Sequence, residues 1–504
     1  MKIVSNPGLN ERWNMKYLLS VAFLASASGL SAIAQEMNWD QWRGPNKNGS
    51  VEIGNPPIEW SLEKNIAWKA VLPGKGSSTP IIHDNQVIVL SALKTDRIKE
   101  GAVAEQAAAP VTPGADRVPG GGRPGGRPSG GPGGGPVGGG PGGGPGAGGP
   151  GGGPGRGGPG GGRGGFGGGA APTNYYQFMV ISYDRATGNK LWEKTVTEDV
   201  PHEGGHRTNN YASSSPCTDG KHIYVDFGSR GIYCLDMQGD LKWKKEFGKM
   251  RTAASFGEGS SATIAGDKLI VPWDHEGESF IVALNSATGE EVWRTARSEG
   301  TCWSTPLIVD YKGKTQVIAN GKIVRSYDLS TGKQIWECGG QVNNPIPSPI
   351  LFGDHVICMT GYRGNAILSI ALDSQGDVTG TKQVAWSNNE AAPYVPSATL
   401  YQGQLYLNKG NNNLISSLDA KTGEVIISQK RLNGLSDLYA SPVAANNHIY
   451  FTGRDGTTVV VKHGKDLEIV STNALGETID GSLAIVGDKI FARGESHLFC
   501  IGGK

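Results

Sequence analysis

Cysteine, net charge and long apolar runs are all scarce in this chain of 504 residues. The six cysteines (Cys217, Cys234, Cys302, Cys338, Cys358 and Cys500) are never adjacent and never form Cys-x-x-Cys. No vicinal disulfide can therefore form, and the spacing names no pair. Lys plus Arg number 47 against 46 Asp plus Glu, a net charge of +1, so no global field steers the chain to nucleic acid or an anionic surface. No Ser, His and Asp fall in a hydrolase-like order, and no glycine-rich stretch has the strand-to-helix setting of a phosphate loop. One apolar run matters, Leu18–Leu30, and it is short for a membrane span. Met15-Lys16-Tyr17 precedes it and Ala32-Ile33-Ala34 follows, the pattern of a cleaved secretory signal over residues 1–34 with Gln35 as the new start. Translation from Met15 would serve equally well. The expected location is periplasmic or secreted, with no span after cleavage and no cysteine at the cleavage point to carry a lipid.

What is present is a repeat. Ile281–Trp293 reads Ile-Val-Ala-Leu-Asn-Ser-Ala-Thr-Gly-Glu-Glu-Val-Trp, a β-prone run, a turn and the start of a return strand. Asn285 caps the turn through its side chain, and Gly289 can take φ > 0 without a Cβ clash. The phrase recurs with Asp184, Thr187, Gly188 and Trp192, with Asp236, Gly239 and Trp243, and with Asp328, Thr331, Gly332 and Trp336. A further copy with Asp419, Thr422 and Gly423 puts Ile427 in the Trp slot, and one from Ala371 to Trp386 is stretched. Cys234 and Cys500 occupy a slot held elsewhere by Ser182, Ala283, Ser326 and Ser417, which makes them small core fillers. In step runs a second signal, a small polar residue opening an apolar strand at Pro80, Pro216, Ala262, Pro306, Pro349, Ala398, Pro442 and Leu483. A period of about 44 residues built of four short strands specifies an all-β, eight-bladed β-propeller over residues 35–504.

Two features break the period. Residues 94–173 interrupt the first blade, and from Gly114 to Ala170 they hold 34 of the chain's 79 glycines with Pro, Arg and one aromatic, Phe166. Such a segment has too little to bury to offset its ordering entropy and is expected to be disordered. Glycine is not strictly every third residue, which excludes collagen. At the ends, Asn65–Lys69 resembles an outer strand with no inner strands before it, while Ser482–Val486, Lys489–Arg493 and His497–Ile501 form three strands with no fourth. The two termini are expected to complete one blade. Trp39-Asp40-Gln41-Trp42-Arg43-Gly44-Pro45 precedes this and reads as a plug packed on the underside or rim.

The phrase Ala-x-Asp-x-x-Thr-Gly-x-x-x-Trp resembles the PQQ-like β-propeller repeat family, from Trp39 to Lys504 except for the glycine-rich tract. The resemblance implies two alternatives. One is a BamB-like, non-catalytic binding or assembly scaffold in the bacterial envelope, with no cofactor. The other is a quinoprotein alcohol or sugar dehydrogenase holding pyrroloquinoline quinone (PQQ) and Ca²⁺. The enzyme branch covers its quinone with a vicinal disulfide, which this sequence lacks, and rests it on a central Trp, for which Trp273 and Trp303 are the candidates. The scaffold is the expected reading, a monomer with a protein or envelope polymer as partner and no nucleic acid.

Strand order fixes where a partner would sit. In a four-stranded antiparallel blade, the connections entering the first strand share a face with those between the second and third strands, and the Thr-Gly turns lie on the other. The candidate face therefore carries His202, Glu203, His206, Arg207, Asn210, Tyr211, Arg251, Trp303, Asn344, Tyr394, Asp437 and Tyr439, residue types favoured in binding surfaces. His202-Glu203-Gly204-Gly205-His206 resembles a metalloprotease helix only in its residue types, because two glycines would break the helix. No catalytic residue and no metal ligand is assigned.

Overall fold

The computed structural model describes residues 38–101 and 168–503. The signal-peptide reading and most of the glycine-rich insertion lie outside them. The described strands form eight sheets. Seven are consecutive in sequence: residues 81–199, 217–245, 263–297, 307–338, 350–388, 399–431 and 443–474, here blades 1 to 7. Blade 8 joins Ala484–Val486, Lys489–Arg493 and His497–Ile501 to Ile66–Val71 from the other end of the chain, with Trp68 opposite Cys500. Both chain ends are thereby tied into one sheet, which leaves the ring without a gap.

Burial follows radius. Second and third strands are covered on both faces by neighbouring blades, so they are continuous apolar runs such as Leu269–Val271 and Ile281–Leu284, all fully buried. Outermost strands alternate, as in Leu241–Lys245, where Trp243 turns in among Lys side chains.

The turn glycines and the Trp residues meet across blades. Each outer-strand Trp lies on the turn glycine of the next blade: Trp68 on Gly188, Trp192 on Gly239, Trp243 on Gly289, Trp293 on Gly332 and Trp386 on Gly423. Each indole N–H also donates to the carbonyl that follows the Asp or Asn of that turn, namely Arg185, Met237, Ser286, Leu329 and Ala420, at 2.8–3.2 Å. Trp336 departs from the pattern because the next copy is stretched. Gly376–Asp377 crosses back to pair with its strand, Val378 packs over it, and the buried indole donates to Gln316 instead. Blade 7 has Ser471 in the Trp slot, and the N-terminal segment supplies the ring. Trp60 stacks on Tyr450 at 6.4 Å, and its backbone N–H donates to Asn473 Oδ1 at 2.8 Å.

The small polar residues that open the first strands link blade to blade. The backbone N–H of Thr79 donates to the hydroxyl of Ser215 and that of Ser215 to Ser261. Those of Ser348, Ser397 and Ser441 donate to Ser397, Ser441 and Ser482. This explains the sequence signal: the hydroxyl stitches the inner ring, and a following Pro, where present, needs no hydrogen-bond acceptor.

In blade 1 the arms of the insertion are longer than the sequence suggested. The second strand runs to Ile98, past the Lys94 boundary, and pairs with Asn174. Between Leu93 and Ile98 the strand is polar, but Arg97 stacks on Tyr175 at 3.8 Å and the pairing resumes at Ile98.

Candidate functional site

The N-terminal segment enters the central channel from the Thr-Gly-turn side. Trp39 is fully buried and pairs its backbone with Ile82. Arg43 reaches across the axis, where one guanidinium nitrogen donates to Ala398 O, Thr399 Oγ1 and Pro442 O of blades 6 and 7 at 2.9–3.1 Å and to its own Asn48 O at 3.1 Å. Gly49, at φ +83°, wraps so closely that a Cβ would lie 2.0 Å from that guanidinium. The segment is the plug expected from its sequence.

The opposite mouth carries the candidate residues, and the structure sorts them into groups. The connection from blade 1 to blade 2 crosses the opening. Within it the His206 ring bonds Thr208 Oγ1 at 2.7 Å, and Thr208 meets the Tyr439 hydroxyl, from the connection into blade 7, at 3.1 Å. Arg454 stacks on Tyr439 at 4.2 Å and is paired to Asp480 at 2.7 Å. Burial, with Arg454 nearby, holds the His206 imidazole below its ordinary pKa. Asp437 is exposed beside this group, and its carbonyl accepts the Arg454 backbone N–H at 2.8 Å.

Glu203 is committed elsewhere. Its carboxylate accepts the backbone N–H and hydroxyl of Thr252 and the hydroxyl of Ser255 at 2.8–3.3 Å. His202 bonds Met250 O at 2.7 Å. His202, Glu203 and His206 thus serve three different partners and do not converge. Among the described residues no group of three His, Cys, Asp or Glu is placed to hold a metal. Asn210 bonds Ser77, and Tyr211 packs edge-on against Tyr176 at 5.0 Å. Arg251 and Arg207 are exposed, and Arg251 donates to Glu276 O at 2.5 Å. Across the mouth, Tyr394 stacks on Tyr362 at 4.9 Å, burial pushes its hydroxyl up to about 12, and Asn344 lies beside it at φ +54°.

Trp303 lies at the mouth as expected, its indole donating to Gly257 O at 2.7 Å. Trp273 does not. It is buried against Phe247 and Phe280, in the core shared by blades 2 and 3, so it is no central platform. Trp303 lines a cavity of about 10 Å³ with Asp226, Glu258, Asp274, Thr301 and Cys302. The Asp226 carboxyl there is pushed up to about 7, chiefly by burial. Tyr362, Arg454 and Asp480 join the face without any sequence signal of their own, because they sit in loops outside the repeated phrase.

The residues do not fit a quinone and Ca²⁺. Arg43 fills the axis, and the cavity beside it measures about 30 Å³. Small-molecule sites take about 300 Å³ or more. Glu203, one of the carboxylates at the mouth, has its oxygens occupied by Thr252 and Ser255.

Fold and face define an eight-bladed propeller of Trp-docked repeats with a plugged channel. A family model described as outer membrane protein assembly factor BamB matches residues 177–429 and 280–501, well over half of the chain. The chain belongs to this family of PQQ-like β-propeller repeat proteins. Three solved structures are similar to this chain, the first two of them in fold. Quinohemoprotein alcohol dehydrogenase from Comamonas testosteroni is 10% identical, with 95% of this chain and 84% of that one covered and a TM-score of 0.57. A europium-containing methanol dehydrogenase is 10% identical, with 95% and 100% covered and a TM-score of 0.58. BamB from Moraxella catarrhalis is 15% identical, with 66% and 90% covered and a TM-score of 0.45. No curated protein is significantly similar in sequence. Among the described residues no helix is long and apolar enough to cross a membrane.

Proposed function

We propose that this protein is a non-catalytic binding or assembly scaffold of the bacterial envelope, engaging a protein or envelope polymer through the face that carries Trp303, Tyr362, Tyr394, Tyr439 and Arg454. The observation that supports this reading is that the channel is filled by protein from both ends. Arg43 enters from one side, and the loop through Thr208 reaches Tyr439 on the other. The match to a family described as an outer membrane assembly factor points the same way. The aromatic and Arg side chains at the mouth are of the kinds that anchor interfaces.

The test has two arms. Purified protein given PQQ and Ca²⁺ is expected to show no bound-quinone spectrum and no dye reduction with alcohols or sugars; either signal would restore the dehydrogenase reading. Envelope extract captured on the wild-type chain is expected to yield a partner lost with Trp303→Ala or Tyr394→Ala. Trp293→Ala, on the outer rim, costs about 3–5 kcal/mol of stability and leaves capture intact in the folded fraction. Loss of capture with Trp293→Ala alone would move the binding surface away from the mouth.

A further inference from the structure

The channel plug creates a charge problem that the rest of the fold does not solve. Arg43 is 5% exposed, and among the described residues no carboxylate is hydrogen-bonded or ion-paired to it. Its side-chain hydrogen bonds all come from one nitrogen, Nη2, and all go to neutral oxygens. Nε and Nη1 are buried and have no partner among the described residues. A buried charge left in this state is costly unless something compensates it.

The cavity of about 30 Å³ is lined by Arg43 together with Lys47, Ser215, Thr305 and Ser348. Lys47 is a second cation drawn inward, its ammonium donating to Ile308 O at 3.1 Å, with Asp310 the acid that acts on it. Among the described residues the inner ring of hydroxyl links lapses at Thr79, Thr305 and Ser348, and of these Thr305 and Ser348 line the cavity. The hydroxyls of Ser215, Ser261, Ser397, Ser441 and Ser482 each accept an N–H from the preceding blade, whereas the Ser348 hydroxyl is buried with no partner among the described residues. Unused donors of a guanidinium and of a serine thus belong to residues lining one small space, beside a lysine. Burial also holds the Arg43 guanidinium well below its ordinary pKa, down to about 9, which a counter-charge would reverse.

We infer that this cavity is a binding site for a single small monovalent inorganic anion of chloride size, held by the free Nε and Nη1 donors of Arg43, by the Ser348 hydroxyl and by the charge of Lys47. A space of about 30 Å³ admits one such ion or a water; it is too small for an organic acid. The ion neutralises the plug and links the N-terminal segment to the inner ends of blades 2 to 5, whereas the Arg43 hydrogen bonds reach blades 6 and 7. It is therefore a structural ligand that pins the plug and takes no part in partner binding.

Bromide in place of chloride tests this. Crystals of the full chain grown in bromide should show an anomalous peak within hydrogen-bond distance of Arg43 Nε or Nη1. A water there, with no bromide signal, overturns the site. In solution, replacing gluconate by bromide at constant ionic strength should raise the melting midpoint, climbing with the logarithm of bromide concentration as for any ligand that binds the native state alone. Arg43→Met should abolish that dependence, and Lys47→Met should shift it to higher bromide. Equal midpoints in bromide and gluconate for the wild type would refute the inference even if Arg43→Met failed to fold.

Discussion

The indole of Trp293 lies flat against Gly332 of the next blade, so close that a Cβ on that glycine would sit 2.4 Å from the ring, and its N–H donates to Leu329 O at 2.8 Å. Gly332 thus answers to two demands, a positive φ for its own turn and an open surface for a neighbour's ring.

The two demands can be separated. Gly313 has a similar φ of +77°, and a Cβ added to it would meet no atom within 4 Å, whereas one on Gly332, at φ +70°, would meet Trp293. Gly313→Ala should cost about 1–2 kcal/mol of left-handed backbone strain. Gly332→Ala should cost that and about 1–3 kcal/mol of overpacking besides. Urea unfolding of the two variants measures the difference; equal losses would mean the Trp seat contributes nothing.

Closure is the second prediction. Removing Ser482–Lys504 strips three strands of blade 8 and leaves Ile66–Val71 without its partner His497–Ile501. The truncated chain should lose its cooperative melt and aggregate. A melt like the parent's would show that the ring holds without its tied ends.

The third concerns pH. The buried Asp226 carboxyl has its pKa raised to about 7, first by burial, with Glu258 adding to the effect and the Gly228 N–H and Arg230 opposing it. Its unfolded value is about 4. Between these values the unfolded chain has lost the proton that the folded chain keeps, so stability falls as pH rises from about 4 to about 7, and levels off above. Asp226→Asn keeps an oxygen for Gly228 N–H, which donates to Oδ1 at 2.7 Å. Relative to wild type, that variant should gain about 1.4 kcal/mol per pH unit across this window. Parallel stability curves would place the titration elsewhere.

The fourth settles the thiols by chemistry. All six cysteines are unpaired and buried. Burial pushes Cys338 up to about 11 and Cys234 and Cys500 up to about 12, and raises Cys217, Cys302 and Cys358 further still. Native protein should react slowly with a thiol reagent, and urea without reductant should expose six groups. Fewer would reveal a disulfide.

The hairpin phrase is local chemistry, so it was legible. Asp328 or Asn285 caps its own turn, glycine supplies the positive φ, and the period counts blades. The split blade was readable too, because each terminus carries the strands the other lacks. What sequence could not supply was the pairing between repeats. That Trp293 rests on Gly332, that Trp60 stands in for the ring missing opposite Ser471, and that Thr208 meets Tyr439 across the mouth are contacts between segments tens to hundreds of residues apart. No periodicity encodes them. The same holds for Trp273, which shares its residue type and its nearness to a loop with Trp303 but is buried in the core between two blades. Arg43 is the sharpest case. As a residue in the chain it is a soluble cation beside two tryptophans; only closure of the ring around it removes water and leaves its charge unmatched.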